Sequence, residues 1–192
     1  MITQLFIQVN ISSIINIAGA TAGLTFVIRY FETAKTDAIN ALEEKNEELE
    51  KLIVTDHLTG IYNRLKLDDV LNFELNKALA DTYTFSIIVA DIDNFKRIND
   101  IFGHLTGDSV LIDVANILKN SCRKTDIVGR WGGEEFIIIC TQTDKAKAKQ
   151  LCEKLIRVIS EHEYTINERI TMSFGVTEFL NGDSVDSLIM RA

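Results

Sequence analysis

The chain has 192 residues, of which 46% are hydrophobic and 25% charged, and it contains no proline. This length allows one domain with a substantial core plus an appendage. The net charge of −8 argues against nucleic acid as a partner held by bulk electrostatics, so we predict no DNA or RNA partner. The three cysteines lack CxxC spacing and the three histidines lack ligand spacing, which argues against a disulfide scaffold or a zinc site.

Residues 1–31 form a hydrophobic first segment, with no charged residue before Arg29. The stretch Leu5–Ile28 is long enough to span a bilayer as a helix, and Gly19 and Gly23 give it a GxxxG pattern. The basic residues that follow predict an inner-membrane anchor with the rest of the chain in the cytoplasm. The alternative is a buried helix in a soluble sensor domain. It rests on a polar stripe at helical spacing: Gln4, Gln8, Ser12 and Asn16.

Residues 32–53 have the pattern of a coiled-coil linker. Apolar residues fall at a and d positions, and Asn46 occupies an intervening a position, which favours a two-stranded coil and hence a homodimer. The apolar positions are Ile39, Leu42, Leu49 and Ile53. Because only about two heptads are present, a solvated connector helix remains an alternative.

The region 54–192 has the pattern of a globular α+β domain. Its strands and helices alternate as β-α-α-β-β-α-β after a first helix at 64–80, which predicts a sheet with helices on one face. The predicted strands are 85–90, 127–130, 136–140 and 169–179. The predicted later helices are 94–102, 108–121 and 144–160, the second of them opening near Asp108.

Acidic residues stand where two of the predicted strands meet polar turns. Asp91 directly follows the apolar strand 85–90, and Glu134 and Glu135 follow the two glycines of GRWGGEEF. If these strands are neighbours, the carboxylates converge, and such a cluster needs a hard cation such as Mg²⁺. Two alternatives remain: Asp91 caps the next helix, and the GGEE turn is a solvated hairpin tip.

Four stretches resemble, in their order and spacing, the motifs of one known family. They are DHLTGIYNR at 56–64, DIDNFKRIND at 91–100, FGHLTGD at 102–108 and GRWGGEEF at 129–136. Together they resemble a GGDEF-domain diguanylate cyclase, in its GGEEF variant, over roughly residues 54–192. The resemblance implies a palm-like fold related to nucleotidyl cyclases and polymerases. It also implies that a homodimer condenses two GTP molecules into cyclic di-GMP with release of two pyrophosphates.

The resemblance assigns roles to single residues. Asp91, the Ile92 carbonyl and Glu134, with Glu135 nearby, correspond to ligands of Mg²⁺, with Mn²⁺ as an alternative. Glu134 and Glu135 are the catalytic candidates, and Glu134 would assist deprotonation of the ribose 3′-hydroxyl. The substrate-binding positions comprise a phosphate-binding turn, two guanine readers and two glycines that leave room for the nucleotide. They are Phe95 and Lys96, Asn99 and Asp108, and Gly132 and Gly133.

The pattern RxxD occurs shortly before GGEEF, at Arg123 and Asp126. At this offset it resembles the family's inhibitory site for the product cyclic di-GMP. By itself the pattern would indicate only a solvated Arg–Asp pair.

The family's motif pattern continues past the last strand with a helix whose Lys and Arg hold the triphosphate, and this sequence ends where that helix begins. We therefore expect Lys96 to be the only motif cation for GTP, and Leu188 and Ile189 to lack their packing continuation. GTP binding and turnover should then be weak. Two other functions stay open: a non-catalytic receptor for GTP or cyclic di-GMP, and a cyclase acting within one nucleotide.

Overall fold

The chain divides into two compact units, residues 1–51 and 52–192. The computed structural model describes residues 2–80, 83–166 and 168–192, and their side chains except those of residues 2–12, 15, 21, 22 and 46–52. The three-part division predicted at residues 31 and 53 stays a prediction.

The first unit is the greater part of one helix, α1 (Ile2–Val54), which is 53 residues long. The predicted long N-terminal helix is therefore confirmed. Every described side chain between residues 13 and 45 is exposed. The predicted heptad positions Asn46 and Leu49 lie outside the described side chains.

The predicted membrane span over Leu5–Ile28 has no counterpart among the described residues. Within them, no helix combines the length and the apolar character needed to cross a bilayer. Hydroxyl and amide side chains, among them Ser13 and Asn16, interrupt the apolar run. The part of the predicted span before residue 13 lies outside the described side chains.

The second unit is built on a four-stranded antiparallel sheet of order β2-β3-β1-β4. Its strands are β1 (Phe85–Ile92), β2 (Ile127–Gly132), β3 (Glu135–Thr141) and β4 (Met172–Glu178). The predicted α+β class is confirmed. The central strands β1 and β3 are almost continuously buried, because helices cover both faces of the sheet.

Helices cover both faces of the sheet, so the prediction of helices on one face only is wrong. On one face lie α3 (Phe95–Phe102), α4 (His104–Ser121) and α5 (Lys145–Glu161), and on the other α2 (Arg64–Ala80) and α6 (Val185–Met190). Alternate residues of β1 and β3 enter two separate cores. The first core contains Ile88, Ala90, Phe136 and Ile138, and the second contains Phe85, Ile87, Ile137 and Ile139.

Two element boundaries differ from the predicted ones by three residues or more. Helix α4 begins at His104 rather than near Asp108, because Gly103, with a φ of 83°, ends α3 and turns the chain straight into the next helix. Strand β4 begins at Met172, three residues after the predicted start. At α5 the predicted start holds, since the Asp144 side chain accepts a hydrogen bond from the Lys147 backbone N–H and caps the helix.

The short helix α6 packs firmly against the sheet. Leu188 is fully buried in the core that it shares with α2, and Ile189 packs against the same core. Ser184 and Ser187 form a capping box at the start of the helix. Both residues are thus packed against the sheet, and the expectation that they lack the continuation of their helix stays a prediction.

Candidate active site

Asp91 lies at the end of β1, between two other strands. It stands opposite Glu135 on β3 and opposite Ser173 on β4. The backbone N–H of Ile92 donates to the carbonyl oxygen of Glu134 at 3.4 Å. The structure thus brings Asp91, Glu134 and Glu135 to one end of the sheet, which we call the acidic end.

Negative charge is crowded at the acidic end. Burial raises the pKa of Asp91, and the neighbouring carboxylates of Glu134, Glu135 and Asp93 raise it further. A raised pKa means that the ionised form of Asp91 is disfavoured by its surroundings. A bound cation would relieve this crowding.

The acidic end offers a hard divalent cation some of its ligands but not a complete coordination shell. Among the residues that the structure describes, no three His, Cys, Asp or Glu side chains form a ready-made metal cluster. Mg²⁺ commonly takes only one or two carboxylates from a protein and completes its shell with water and substrate phosphates. The two carboxylates of Asp91 and Glu134 match that number, and their role as ligands together with the Ile92 carbonyl stays a prediction.

The Asp93 carboxylate is engaged in hydrogen bonds near the start of β4. It accepts hydrogen bonds from Thr171 Oγ1 and Ser173 Oγ, both at 2.6 Å. The next residue, Asn94, has a left-handed backbone with a φ of 57° and forms the N-cap of α3. The alternative that Asp91 caps this helix is therefore wrong, and Asp91 is left available at the acidic end.

The predicted phosphate-binding turn is the start of α3. The first amides of a helix have no acceptor within the helix, and they favour a negative charge. The Phe95 side chain is buried in the core, so this residue can offer a ligand only its backbone N–H, whereas Lys96 is exposed.

The GGEE turn joins β2 to β3 beside the acidic end. Gly133 has a φ of 51°, a conformation that favours glycine. A Cβ added at Gly132 or Gly133 would meet no atom within 4 Å, so the space above both residues is open.

The Arg130 side chain is hydrogen-bonded to this turn. Its Nε and Nη2 donate to the carbonyl oxygen of Gly133 at 2.9 and 2.7 Å. Its Nη1 lies 3.2 Å from Asp56 Oδ1, and the two side chains are only 15% and 16% exposed. Asp56 also accepts hydrogen bonds from the backbone N–H and the hydroxyl of Thr59.

The pKa of Asp56 reflects this arrangement. Burial alone would raise the pKa, but the hydrogen bonds from Thr59 and the charge of Arg130 outweigh burial and lower it. Sequence reasoning assigned no role to Arg130 or Asp56, although both stand inside the quoted motifs.

The two predicted guanine readers lie on adjacent helices. Asn99 is on α3 and Asp108 on α4, and both side chains are half-buried. Asn99 Oδ1 lies 1.9 Å from the position that a Cβ would take at Gly107, the residue before Asp108. The structure therefore brings the Asn99 carboxamide close to the residue that precedes Asp108.

The RxxD residues line a separate cleft of about 300 Å³, which we call the product cleft after the role predicted for this pattern. Asp126 Oδ2 accepts from the backbone N–H of Arg123 at 2.9 Å, whereas Asp126 Oδ1 is buried and has no partner among the described residues. Sequence reasoning missed two further cations of this cleft, because they come from α5. The lining residues are Ser121, Arg123, Asp126, Cys140, Thr143, Lys147, Gln150, Leu151 and Lys154.

A family model described as "Diguanylate cyclase, GGDEF domain" matches residues 53–192. The chain belongs to the GGDEF domain family. This GGDEF domain is similar to the diguanylate cyclase VdcA of Vibrio cholerae, at 38% identity over 167 residues, which are 83% of this chain and 48% of VdcA. It is also similar to the diguanylate cyclase DgcP of Pseudomonas aeruginosa, at 36% identity over 76% of this chain and 22% of DgcP. The chain thus spans less than half the length of these two relatives.

Solved GGDEF structures share its fold. The coiled coil and GGDEF domain of DgcB from Caulobacter crescentus, in complex with c-di-GMP, has a TM-score of 0.78 and 28% identity. This comparison covers 86% of this chain and 90% of that one. The predicted palm-like fold behind a long N-terminal helix is therefore confirmed.

Proposed function

We propose that this chain is a diguanylate cyclase, which condenses two GTP molecules into cyclic di-GMP and releases two pyrophosphates. The observation that carries the proposal is the acidic end, where Asp91 and Glu135 are paired across neighbouring strands and Glu134 occupies the adjoining turn. Membership in the GGDEF family supports the same reaction.

The acidic end would hold Mg²⁺ or Mn²⁺ through Asp91, Glu134 and the Ile92 carbonyl, with Glu135 nearby. When bound, a divalent cation neutralises phosphate charge and lowers the pKa of a coordinated hydroxyl. Glu134 would accept the proton of the ribose 3′-hydroxyl, and the negative charge of Glu135 would favour its departure. The crowding that raises the pKa of Asp91 supports a cation-binding role for this site.

The nucleotide would lie over the open space at Gly132 and Gly133. The Asp108 carboxylate can accept from guanine N1–H and the 2-amino group, a pair of donors that adenine lacks. The Asn99 carboxamide adds one donor group and one acceptor on the same side. The first amides of α3 and the exposed Lys96 would receive phosphate oxygens.

The reaction requires two copies of the domain, because each 3′-hydroxyl attacks the nucleotide held by the other copy. Helix α1 leaves apolar side chains uncovered along its linker part: Ile39 is 44% exposed and Leu42 is 63% exposed. Their heptad spacing supports a parallel coil with a second copy. Such a coil would raise the effective concentration of one domain near the other.

The product cleft is the proposed site of feedback by cyclic di-GMP. Three cations, Arg123, Lys147 and Lys154, line it together with the single acid Asp126. The unpartnered Asp126 Oδ1 is suited to accept from a guanine, and Arg123 to bind phosphate or stack on a base. This cleft also supports a second candidate function, a non-catalytic receptor for cyclic di-GMP.

One experiment separates these functions. The chain is incubated with GTP and Mg²⁺ or Mn²⁺, and the products are identified by mass spectrometry. Cyclic di-GMP with two equivalents of pyrophosphate supports the cyclase, and a product made from one nucleotide contradicts it. Binding of cyclic di-GMP without any turnover of GTP would favour the receptor.

A further inference from the structure

The corner between α3 and α4 is unusually tight. The backbone N–H of Gly103 donates to the Asn99 carbonyl at 2.9 Å, and the N–H of Gly107 donates to the Gly103 carbonyl at 3.2 Å. These bonds fold the first turn of α4 back onto α3. Gly107 is buried where the two helices meet.

Gly107 is a glycine for reasons of space. Its backbone is not among the glycines with positive φ, so its conformation suits any residue. A Cβ at this position would lie 1.9 Å from Asn99 Oδ1, 3.0 Å from Asn99 Cγ and 3.2 Å from Phe95 Cζ. The Asn99 carboxamide therefore occupies the volume that an alanine methyl group would need.

Glycine at position 107 is unfavourable for the stability of helix α4. Alanine is the best helix former and glycine one of the worst in a helix interior. A glycine without a conformational need, inside an 18-residue helix, points to a packing or functional requirement. The group in contact with it is a residue that the proposed function assigns to guanine.

We infer that Gly107 is a positioning residue for nucleobase selection. The missing side chain lets the Asn99 carboxamide lie against α4 at the residue before Asp108, and the end of the buried Phe95 ring lies beside the same position, 3.2 Å from where a Cβ at Gly107 would be. The two polar groups are thereby held in place before the nucleotide arrives, which lowers the ordering cost of binding. This inference rests on the proposed function, because it assumes that Asn99 and Asp108 contact guanine.

A methyl group at Gly107 should displace Asn99 without unfolding the domain. The closest atom is the end of a flexible side chain, which can rotate away, and alanine favours the helix. A displaced carboxamide leaves one edge of guanine unpaired, and loss of such a hydrogen bond typically costs about tenfold in affinity.

The test measures base selectivity by calorimetry, with 3′-deoxy-GTP and 3′-deoxy-ITP in Mg²⁺. Neither nucleotide has the attacking hydroxyl, and the second lacks the 2-amino group. We expect the wild-type chain to prefer the guanine nucleotide by about tenfold or more. Because Asp108 also contacts the 2-amino group, Gly107→Ala and Asn99→Ala should each reduce this preference only in part and by the same factor, and the double variant should lose no more than Asn99→Ala alone.

Gly23→Ala is the matched control. It makes the same change inside helix α1, at a position where a Cβ meets no atom within 4 Å. Its base preference should equal that of the wild-type chain. Thermal melting of each variant shows whether a loss of selectivity accompanies a loss of fold.

The possible outcomes separate the inference from the proposed function. If the wild-type chain shows no preference, or Asn99→Ala keeps it, the assignment of Asn99 to guanine is wrong. If Asn99→Ala reduces the preference and Gly107→Ala retains it in full, the positioning role of Gly107 is overturned. If Gly107→Ala fails to fold but the double variant Gly107→Ala/Asn99→Ala folds, a steric conflict between residue 107 and Asn99 is supported. If both unfold, Gly107 serves packing alone and the inference is overturned.

Discussion

The acidic end and the product cleft belong to one domain but handle anions in opposite ways. At the acidic end, carboxylates from β1, β3 and the turn between β2 and β3 raise the pKa of Asp91. In the product cleft, Arg123, Lys147 and Lys154 line the wall together with Asp126, one of whose carboxylate oxygens is buried. We therefore expect the first site to need a cation before it can hold a triphosphate, and the second to bind a phosphodiester directly.

This difference teaches that the net charge of −8 says little about single sites. An acidic protein can bind phosphates in two ways, through a metal on converging acids or through a local group of basic side chains. The two sites should therefore respond independently to mutation, and the variants below test that independence from the largest expected effect to the smallest.

Glu134→Gln should have the largest effect. It removes a metal ligand and the proton acceptor together, so we expect cyclic di-GMP synthesis to fall by about a hundredfold or more. The affinity for cyclic di-GMP, measured by calorimetry, should stay unchanged because the product cleft is separate. Glu153→Gln, an exposed site on α5, is the matched control. Turnover within tenfold of wild type would contradict the role of Glu134.

Arg130→Ala should weaken the acidic end without touching a ligand. The variant loses two hydrogen bonds to the Gly133 carbonyl, which frees the GGEE turn. Loss of contacts that support metal ligands typically lowers metal affinity or activity about 10- to 100-fold, and we expect metal affinity and turnover to fall by about that factor. Mn²⁺ binding followed by electron paramagnetic resonance measures the first effect directly. Arg157→Ala, on the exposed face of α5, controls for charge. An unchanged Mn²⁺ affinity would show that Arg130 only stabilises the fold.

Arg123→Ala should affect only the product cleft. A charge-assisted hydrogen bond to phosphate is worth about 1.5–3 kcal/mol, which predicts a loss of affinity for cyclic di-GMP of about ten- to a hundredfold. Initial turnover of GTP, before product accumulates, should be unchanged. Lys124→Ala is the matched control, since the neighbouring Lys124 does not line the cleft. Equal affinity in Arg123→Ala and wild type would remove feedback from the proposed function.

Asp91→Asn should have the smallest effect, a rise in melting temperature of about a few degrees in metal-free buffer at neutral pH. The substitution removes a charge that burial and its neighbours disfavour. Because the raised pKa lets the folded state bind the proton more readily than the unfolded chain, the advantage should shrink as the pH falls through that pKa. Asp69→Asn is the control. A lower melting temperature would contradict charge crowding at this site.

Stabilisation by Mg²⁺ sharpens the same comparison. Added Mg²⁺ should raise the melting temperature of the wild-type chain and not that of Asp91→Asn, because ligands that bind only the folded state stabilise it. Cyclic di-GMP should stabilise both.

The sequence by itself determined the domain and most of the candidate residues. The strand 85–90, the helix ending at Gly103 and the turn after Arg130 follow from apolar runs and glycine positions, which act over a few residues. The four motifs in order gave the family, and adjacent acids after glycines indicated a metal site.

The tertiary structure decided what depends on residues far apart in the chain. The continuous apolar run at 85–90 is the pattern of a strand buried on both faces, but which helices cover each face depends on packing across the sheet. The support of Gly133 by Arg130 and Asp56, the lysines of the product cleft and the contact between Gly107 and Asn99 all join separate elements. Local patterns fix which residues form a helix, strand or turn, whereas pairing and packing across the sheet fix which side chains meet.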